Sequence, residues 1–310
     1  MSELLQIDAA AHAAFLRACT LDVAVRKPGN VSRQSPGHGM QAELFIRSAM
    51  AAAPHLLAPG TRVGERIAAA QAASWQAAGC NTNLGILLLC APLAAAVERC
   101  WQPLSWPLLR QAIESVLAEL DLGDARAAYR AIAAANPGGL GQADAQDVHD
   151  VPSVGLREAM ALAAGRDSIA RQYRDGFAEL LALAKTGPGI ARAPATDDAQ
   201  DADARPVGPK TVQCVQHLYL TILARWPDSH IVRKHGEAVA HTVMRSAQAW
   251  RVRASAGEAL DAEPSFAAWD ARLKSEGINP GTTADLTVAT LMLARLMGRS
   301  AARADGAGSS

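Results

Sequence analysis

The sequence predicts an all-α protein, and three observations carry that expectation. Half of the 310 residues are hydrophobic but only 4% are aromatic, so the core has to be built from aliphatic side chains, alanine and leucine above all, which favour helices. Apolar residues recur at spacings of three and four almost throughout. Runs with the alternating, β-branched character of strands are few. Length alone allows one large domain or two. The expectation is a single multi-helix domain over 1–298 with a buried central helix, followed by a disordered tail, 299–310.

From the N-terminus, a helix over Ile7–Arg26 carries Ile7, Ala10, Ala14, Leu21 and Val25 on one side and stops at Lys27-Pro28-Gly29-Asn30, a strong breaker. The connection to Met40 places Arg33 and His38 near Lys27. A loop between two apolar helices that holds cations and a histidine suits either a solvated connection or an anion clamp. Helices over Glu43–Ala53 and Val63–Ala78 lead into Gly79 to Val97, GCNTNLGILLLCAPLAAAV. There the amide-rich turn Asn81-Thr82-Asn83 enters a segment apolar on every side, and such a helix is buried. Its first turn has unpaired backbone N–H groups and a partial positive charge. A polar helix start inside a protein is therefore a candidate phosphate site, with Asn81 or Thr82 acting otherwise as a simple cap.

Helices over Ser105–Glu119 and Ala125–Ala135 follow. Next comes Asn136-Pro137-Gly138-Gly139-Leu140-Gly141, then Asp144, Asp147, His149 and Asp150. Glycines let a ligand approach the backbone, and acidic residues three apart can share a metal, so Asp147 and Asp150 are candidate ligands; otherwise they belong to a solvated loop. Helices resume over Ser153–Leu162 and Arg166–Ala184, the latter with Tyr173, Phe177, Leu180 and Ala184 as a core stripe. The segment 186–209 is rich in proline, glycine, alanine and aspartate without apolar periodicity, and reads as a flexible insertion within the domain.

Lys210–Trp226 is helical, and a long helix capped by Asp228 or Ser229 is expected to run to Arg253. His230, Arg233, Lys234 and His235 crowd its first turns, where positive charge opposes the helix dipole unless an anion binds nearby. Finally, Asn279-Pro280-Gly281-Thr282-Thr283-Ala284-Asp285-Leu286 leads into the apolar Thr287–Met297. Thr282 and Asp285 fit a capping box. The turn also repeats the arrangement at Asn81, and two polar helix starts meeting at one cavity would form a phosphate-binding centre.

Charge and cysteine usage exclude several classes. Thirty basic and thirty acidic residues cancel, which argues against a nucleic-acid partner bound by phosphate neutralisation. The five cysteines form no CxxC pair and are odd in number, so neither a zinc site nor a disulfide framework is indicated. A reducing cytoplasm is expected. The first residues, with Glu3, Asp8 and His12, lack the pattern of a secretory signal. The longest apolar run, Gly85 to Val97, contains Pro92 and is shorter than the roughly 18 residues a membrane span needs, so no membrane partner is expected.

Taken together, these stretches resemble the triphosphoribosyl-dephospho-CoA synthase family over most of the chain. Lys27-Pro28-Gly29, preceded by Asp22, is similar to an early family motif, and His38-Gly39-Met40 to a second. Asn81-Thr82-Asn83-Leu84-Gly85 resembles a third, and Pro280-Gly281-Thr282-Thr283-Ala284-Asp285-Leu286 a terminal one. Asn83-Leu84 stands where the family has histidine-lysine, and Gly39 where it has aspartate. The NPGGLG segment and the Asp228 to Gly236 region look like a divergent branch found in archaea and in methylotrophs with tetrahydromethanopterin-linked one-carbon metabolism.

The resemblance implies a cytoplasmic enzyme that joins the ribose carbon 1 of ATP to the 2′-hydroxyl of 3′-dephospho-CoA and releases adenine, with Mg²⁺ assisting. It implies Asp285 as base or metal ligand and Asp22 as second catalytic carboxylate. Lys27, Arg33, His38, Asn81, Thr82, Asn83, Gly85, Asn279, Gly281, Thr282 and Thr283 would surround the phosphates. Asp147, Asp150 and Asp285 would be metal ligands. Two other readings stand beside it: a related ribosyl or phosphoribosyl transfer or hydrolysis in tetrahydromethanopterin-linked cofactor synthesis, and a non-catalytic helical binding protein.

Overall fold

The computed structural model describes residues 3–100, 104–135, 148, 150–186 and 207–307, apart from the side chains of 3–8 and 299–307. Among the described residues there are fourteen α-helices: α1 (Glu3–Ala24), α2 (Ala42–Leu56), α3 (Val63–Ala78), α4 (Leu84–Glu98), α5 (Trp106–Ala118), α6 (Leu122–Ala135), α7 (Leu156–Ala163), α8 (Ser168–Arg174), α9 (Ala178–Thr186), α10 (Pro209–Leu223), α11 (Ser229–His235), α12 (Glu237–Ser255), α13 (Pro264–Ser275) and α14 (Gly281–Ala307). Paired extended backbone is confined there to two isolated bridges in the loop after α1. The all-α expectation holds. No described helix is long and apolar enough to cross a membrane.

Helix α4 is the centre of the molecule, as its composition predicts. Leu84 and every residue from Ile86 to Val97 are buried, and α1, α3, α5, α8 and α14 pack around it. Pro92 inside it removes the N–H that would bond the Leu88 carbonyl, an interior defect that costs about 3 kcal/mol in a helix. The buried Tyr173 hydroxyl donates to that carbonyl at 2.6 Å. A side chain from α8 thus satisfies an acceptor that water cannot reach.

Two apolar cores result. The larger joins α1 to α9 with most of α14; a smaller one gathers α10 to α13 around Tyr219, Phe266, Trp269 and Leu273. Ala284 belongs to the smaller core and Leu286 to the larger, so the first turns of α14 lie at the seam, where a cleft is expected to form.

Several boundaries differ from the sequence expectation. The helix expected over Arg166–Ala184 breaks at Gly176-Phe177, both left-handed, with φ of 63° and 57°. At Gly176 the positive φ favours glycine, and full burial of Phe177 against Tyr173 offsets its unfavourable φ. The helix expected from Ser229 to Arg253 divides into α11 and α12 at Gly236, with φ of 84°. Helix α13 was not anticipated, although buried Phe266, Trp269 and Leu273 have helical spacing. The last helix continues to Ala307, beyond the point at which a disordered tail was expected. Most of the proposed insertion, 187–206, lies outside the described residues.

Candidate active site

A cavity of about 470 Å³ opens at the seam, within the size range of small-molecule sites. Its polar wall comes from Asp22 on α1, the loop after α1, the Asn81–Asn83 turn, α11 and the start of α14. Tyr129 and Ile132 of α6, with Ala159 and Met160 of α7, add apolar surface.

The loop after α1 is locked to the turn before α14. Gly29 has φ of 81°, and a Cβ there would lie 2.7 Å from Pro280 Cδ and 2.9 Å from the Ile278 carbonyl, so only glycine permits this approach. Asn30 Nδ2 donates to Asn279 Oδ1 at 3.0 Å, and the Gly29 N–H to Asp270 at 2.9 Å. His38 donates from Nε2 to the Gly29 carbonyl at 2.8 Å. Behind this wall, Lys27 is fully buried. Its ammonium donates to Asn30 at 2.6 Å, lies 3.0 Å from Asp22 and faces the Tyr219 ring. The Asp22 contact is an ion pair without the alignment of a hydrogen bond. Burial pushes the Asp22 pKa up, and Lys27 opposes that rise.

At the start of α4, whose N-cap residue is Asn83, Asn81 Oδ1 accepts from the Leu84 N–H at 3.2 Å, while Thr82 donates to Ser48 at 2.7 Å. Asn83 is oriented by Ser74, whose hydroxyl donates to Asn83 Oδ1 at 2.6 Å. That leaves Asn83 Nδ2, buried on the cavity wall, without a hydrogen-bond partner.

The start of α14 is capped from outside. Asp228 accepts from the Thr283 N–H at 2.7 Å and its hydroxyl at 2.8 Å, and through its other oxygen from the His230 and Ile231 N–H groups. The capping box expected from Thr282 and Asp285 is therefore not formed. Thr282 already lies inside the helix, and the neighbouring N–H is taken by Asp228. Freed of that duty, Asp285 faces the cavity and makes no hydrogen bond or ion pair among the described residues. Burial first, then the charges of Asp22 and Asp228, hold its pKa well above the usual carboxylate range. Gly85 makes room for it: a Cβ there would lie 2.0 Å from Asp285 Oδ2.

Cations line the same space. Arg166, His230, Arg233 and Lys234 are on the wall, with Arg233 paired to Asp167 at 2.7 Å. Carboxylate and cationic groups beside two polar helix starts suit a polyanionic ligand.

The family model for ATP:dephospho-CoA triphosphoribosyl transferase matches residues 8–304. The chain belongs to this family. Its reaction is the transfer of the triphosphoribosyl group of ATP to dephospho-CoA. Among solved structures, a proposed triphosphoribosyl-dephospho-CoA synthase from Archaeoglobus fulgidus superposes with a TM-score of 0.58 at 23% identity, covering 81% of this chain and 98% of that one; this likeness speaks to the fold. No curated protein matches the chain.

In this transferase, the expected site residues Asp22, His38, Asn81, Thr82, Asn83, Gly85, Asn279, Gly281, Thr282 and Asp285 all reach one cavity. Others do not. Lys27 sits behind the wall with its ammonium occupied, and Thr283 is held by Asp228. Arg33 and Asp150 are exposed and are not among the residues lining the cavity. Asp147 lies outside the described residues. No group of three metal-ligating side chains occurs among the described residues. Sequence reasoning left out Asn30, Arg166 and Asp167, which carry no signal beyond their residue type. His230, Arg233 and Lys234 had signalled themselves as charges opposed to their own helix dipole.

Proposed function

We propose that Asp285 is the general base of triphosphoribosyl transfer in this enzyme, supported above all by its unpartnered carboxylate between the starts of α4 and α14. The 2′-hydroxyl of dephospho-CoA attacks the ribose carbon 1 of ATP. The bond to adenine N9 breaks and its electron pair leaves with adenine, which takes a proton from solvent, while the hydroxyl proton passes to Asp285. A raised pKa makes this carboxylate a better proton acceptor near neutral pH. Asp22, paired with Lys27 at 3.0 Å, stabilises the positive charge that builds on the ribose in an oxocarbenium-like transition state. Arg166, Arg233, Lys234 and the donor Asn83 Nδ2 hold the triphosphate, helped by the positive end of α4.

The donors on this wall suit Mg²⁺, which binds through one or two carboxylates together with substrate phosphates. Asp22, on the cavity wall, is the carboxylate that would hold it, leaving Asp285 as the base. When bound, Mg²⁺ would neutralise phosphate charge. The reading includes a single catalytic domain and a cytoplasmic location, the latter supported by five free cysteines.

Incubation with ATP, dephospho-CoA and Mg²⁺ should release free adenine in step with product. A folded preparation that yields none under these conditions would remove the reading.

A further inference from the structure

Besides Asp285 and Asn83, the cavity wall has a further unsatisfied position. His230 begins α11 with its backbone N–H bonded to Asp228 at 2.9 Å. Its ring lies over Gly281, where a Cβ would stand 3.5 Å from both Cγ and Nδ1. Its Nε2 is buried without a hydrogen-bond partner, as is Nε of Arg233, and both residues line the cavity. The other histidine on this wall, His38, has its Nε2 bonded to a carbonyl. Buried polar atoms are rarely left unpaired unless something absent from the structure pairs them. Two such atoms one helical turn apart, with Lys234 next to Arg233 on the same wall, define a subsite for a ligand rich in acceptors.

Resting on the reading that this cavity takes ATP, we propose that His230 is a phosphate-contacting residue, its Nε2 donating, beside Arg233, to an oxygen of the bound triphosphate. The groups facing the imidazole are Arg233, Lys234 and His235 on its own helix and His38 from the loop after α1; α14 presents Gly281 at the ring, and Asp228 holds the backbone beneath it. Burial, then these positive charges, lower the imidazole pKa to about 4, so it is neutral when the cavity holds no anion. A polyphosphate supplies the opposite field, and the imidazole takes up a proton as the anion seats. The contact then becomes a charge-assisted hydrogen bond.

The test uses inorganic tripolyphosphate, which binds without any reaction. Calorimetric titrations near neutral pH, in two buffers of different ionisation enthalpy, give both affinity and protons taken up. His230→Asn should bind about tenfold more weakly or worse, the scale of a lost hydrogen bond to a charged group, and take up fewer protons than the wild type. His230→Gln, which returns an amide donor near the Nε2 position, should recover part of the affinity but not the proton uptake. Equal affinity and equal proton uptake in wild type and His230→Asn would overturn the assignment, as would no tripolyphosphate binding by the wild type. The two readings fail separately. Binding that depends on His230 without adenine release sinks the reaction alone, and adenine release with unchanged linkage in His230→Asn sinks the subsite alone.

Discussion

The carboxylate of Asp285 lies so close to Gly85 that a Cβ on the glycine would stand 2.0 Å from Asp285 Oδ2 and 2.8 Å from Ile169 Cδ1. Two helix starts far apart in sequence are thereby fitted to each other through one glycine and one carboxylate. Gly85→Ala must displace the Asp285 carboxylate and the Ile169 side chain of α8. Overpacking of this kind costs about 1–3 kcal/mol. Turnover should fall about a hundredfold or more because the base is displaced, as steady-state kinetics on the folded variant would show.

Asp285 itself should trade stability for activity. Its folded-state pKa is raised, so protonation stabilises the folded protein, and that contribution is lost as pH rises through the raised value. Asp285→Asn removes the ionisation. The variant should melt higher than the wild type at neutral and alkaline pH, the gap closing as pH falls into the carboxylate range. Thermal melts across pH would show this, and a gap that widens towards acid would contradict it.

Activity should follow the same group. A base that must be ionised before the hydroxyl attacks gives a rate that declines with falling pH at a point above the usual carboxylate range. The kcat–pH profile measures this directly.

Lys27 acts through Asp22 and Asn30 rather than on phosphate. Lys27→Met leaves Asp22 buried without its ion pair, and breaking one side of a buried pair typically costs about 3–5 kcal/mol. Urea unfolding should show a loss of that order. A variant of wild-type stability with only a raised KM for ATP would instead make Lys27 a phosphate ligand.

Tyr173→Phe tests the device that admits Pro92 to the central helix. The Leu88 carbonyl loses its partner, with an expected cost of about 1–3 kcal/mol. Because Tyr173 is not on the cavity wall, kcat in the folded protein should be nearly unchanged.

The fold was largely legible because its signals are local. An aliphatic composition with three-and-four spacing specifies helices, and α4 announces its burial by having no polar face. The breaks at Phe177 and Gly236 were not legible, since the left-handed Phe177 is tolerated only through tertiary burial. The site divides the same way. Asn81, Asn83 and Asp285 could be singled out because polar residues at the starts of apolar helices are anomalous in sequence, whereas Gly85 entered only with the family resemblance. Lys27 was misplaced because sequence does not say which side of a loop an ammonium faces. The capping box at Thr282 and Asp285 satisfied the local rule, yet Asp228, distant in sequence, does the capping and leaves Asp285 free.

The central claim is that Asp285 accepts the proton of the attacking hydroxyl. A single-turnover assay of adenine release with saturating ATP, dephospho-CoA and Mg²⁺ compares the wild type with a folded Asp285→Asn variant. General-base catalysis predicts that the variant releases adenine about a hundredfold to ten-thousandfold more slowly, with tripolyphosphate still bound. An undiminished rate in Asp285→Asn would contradict the account.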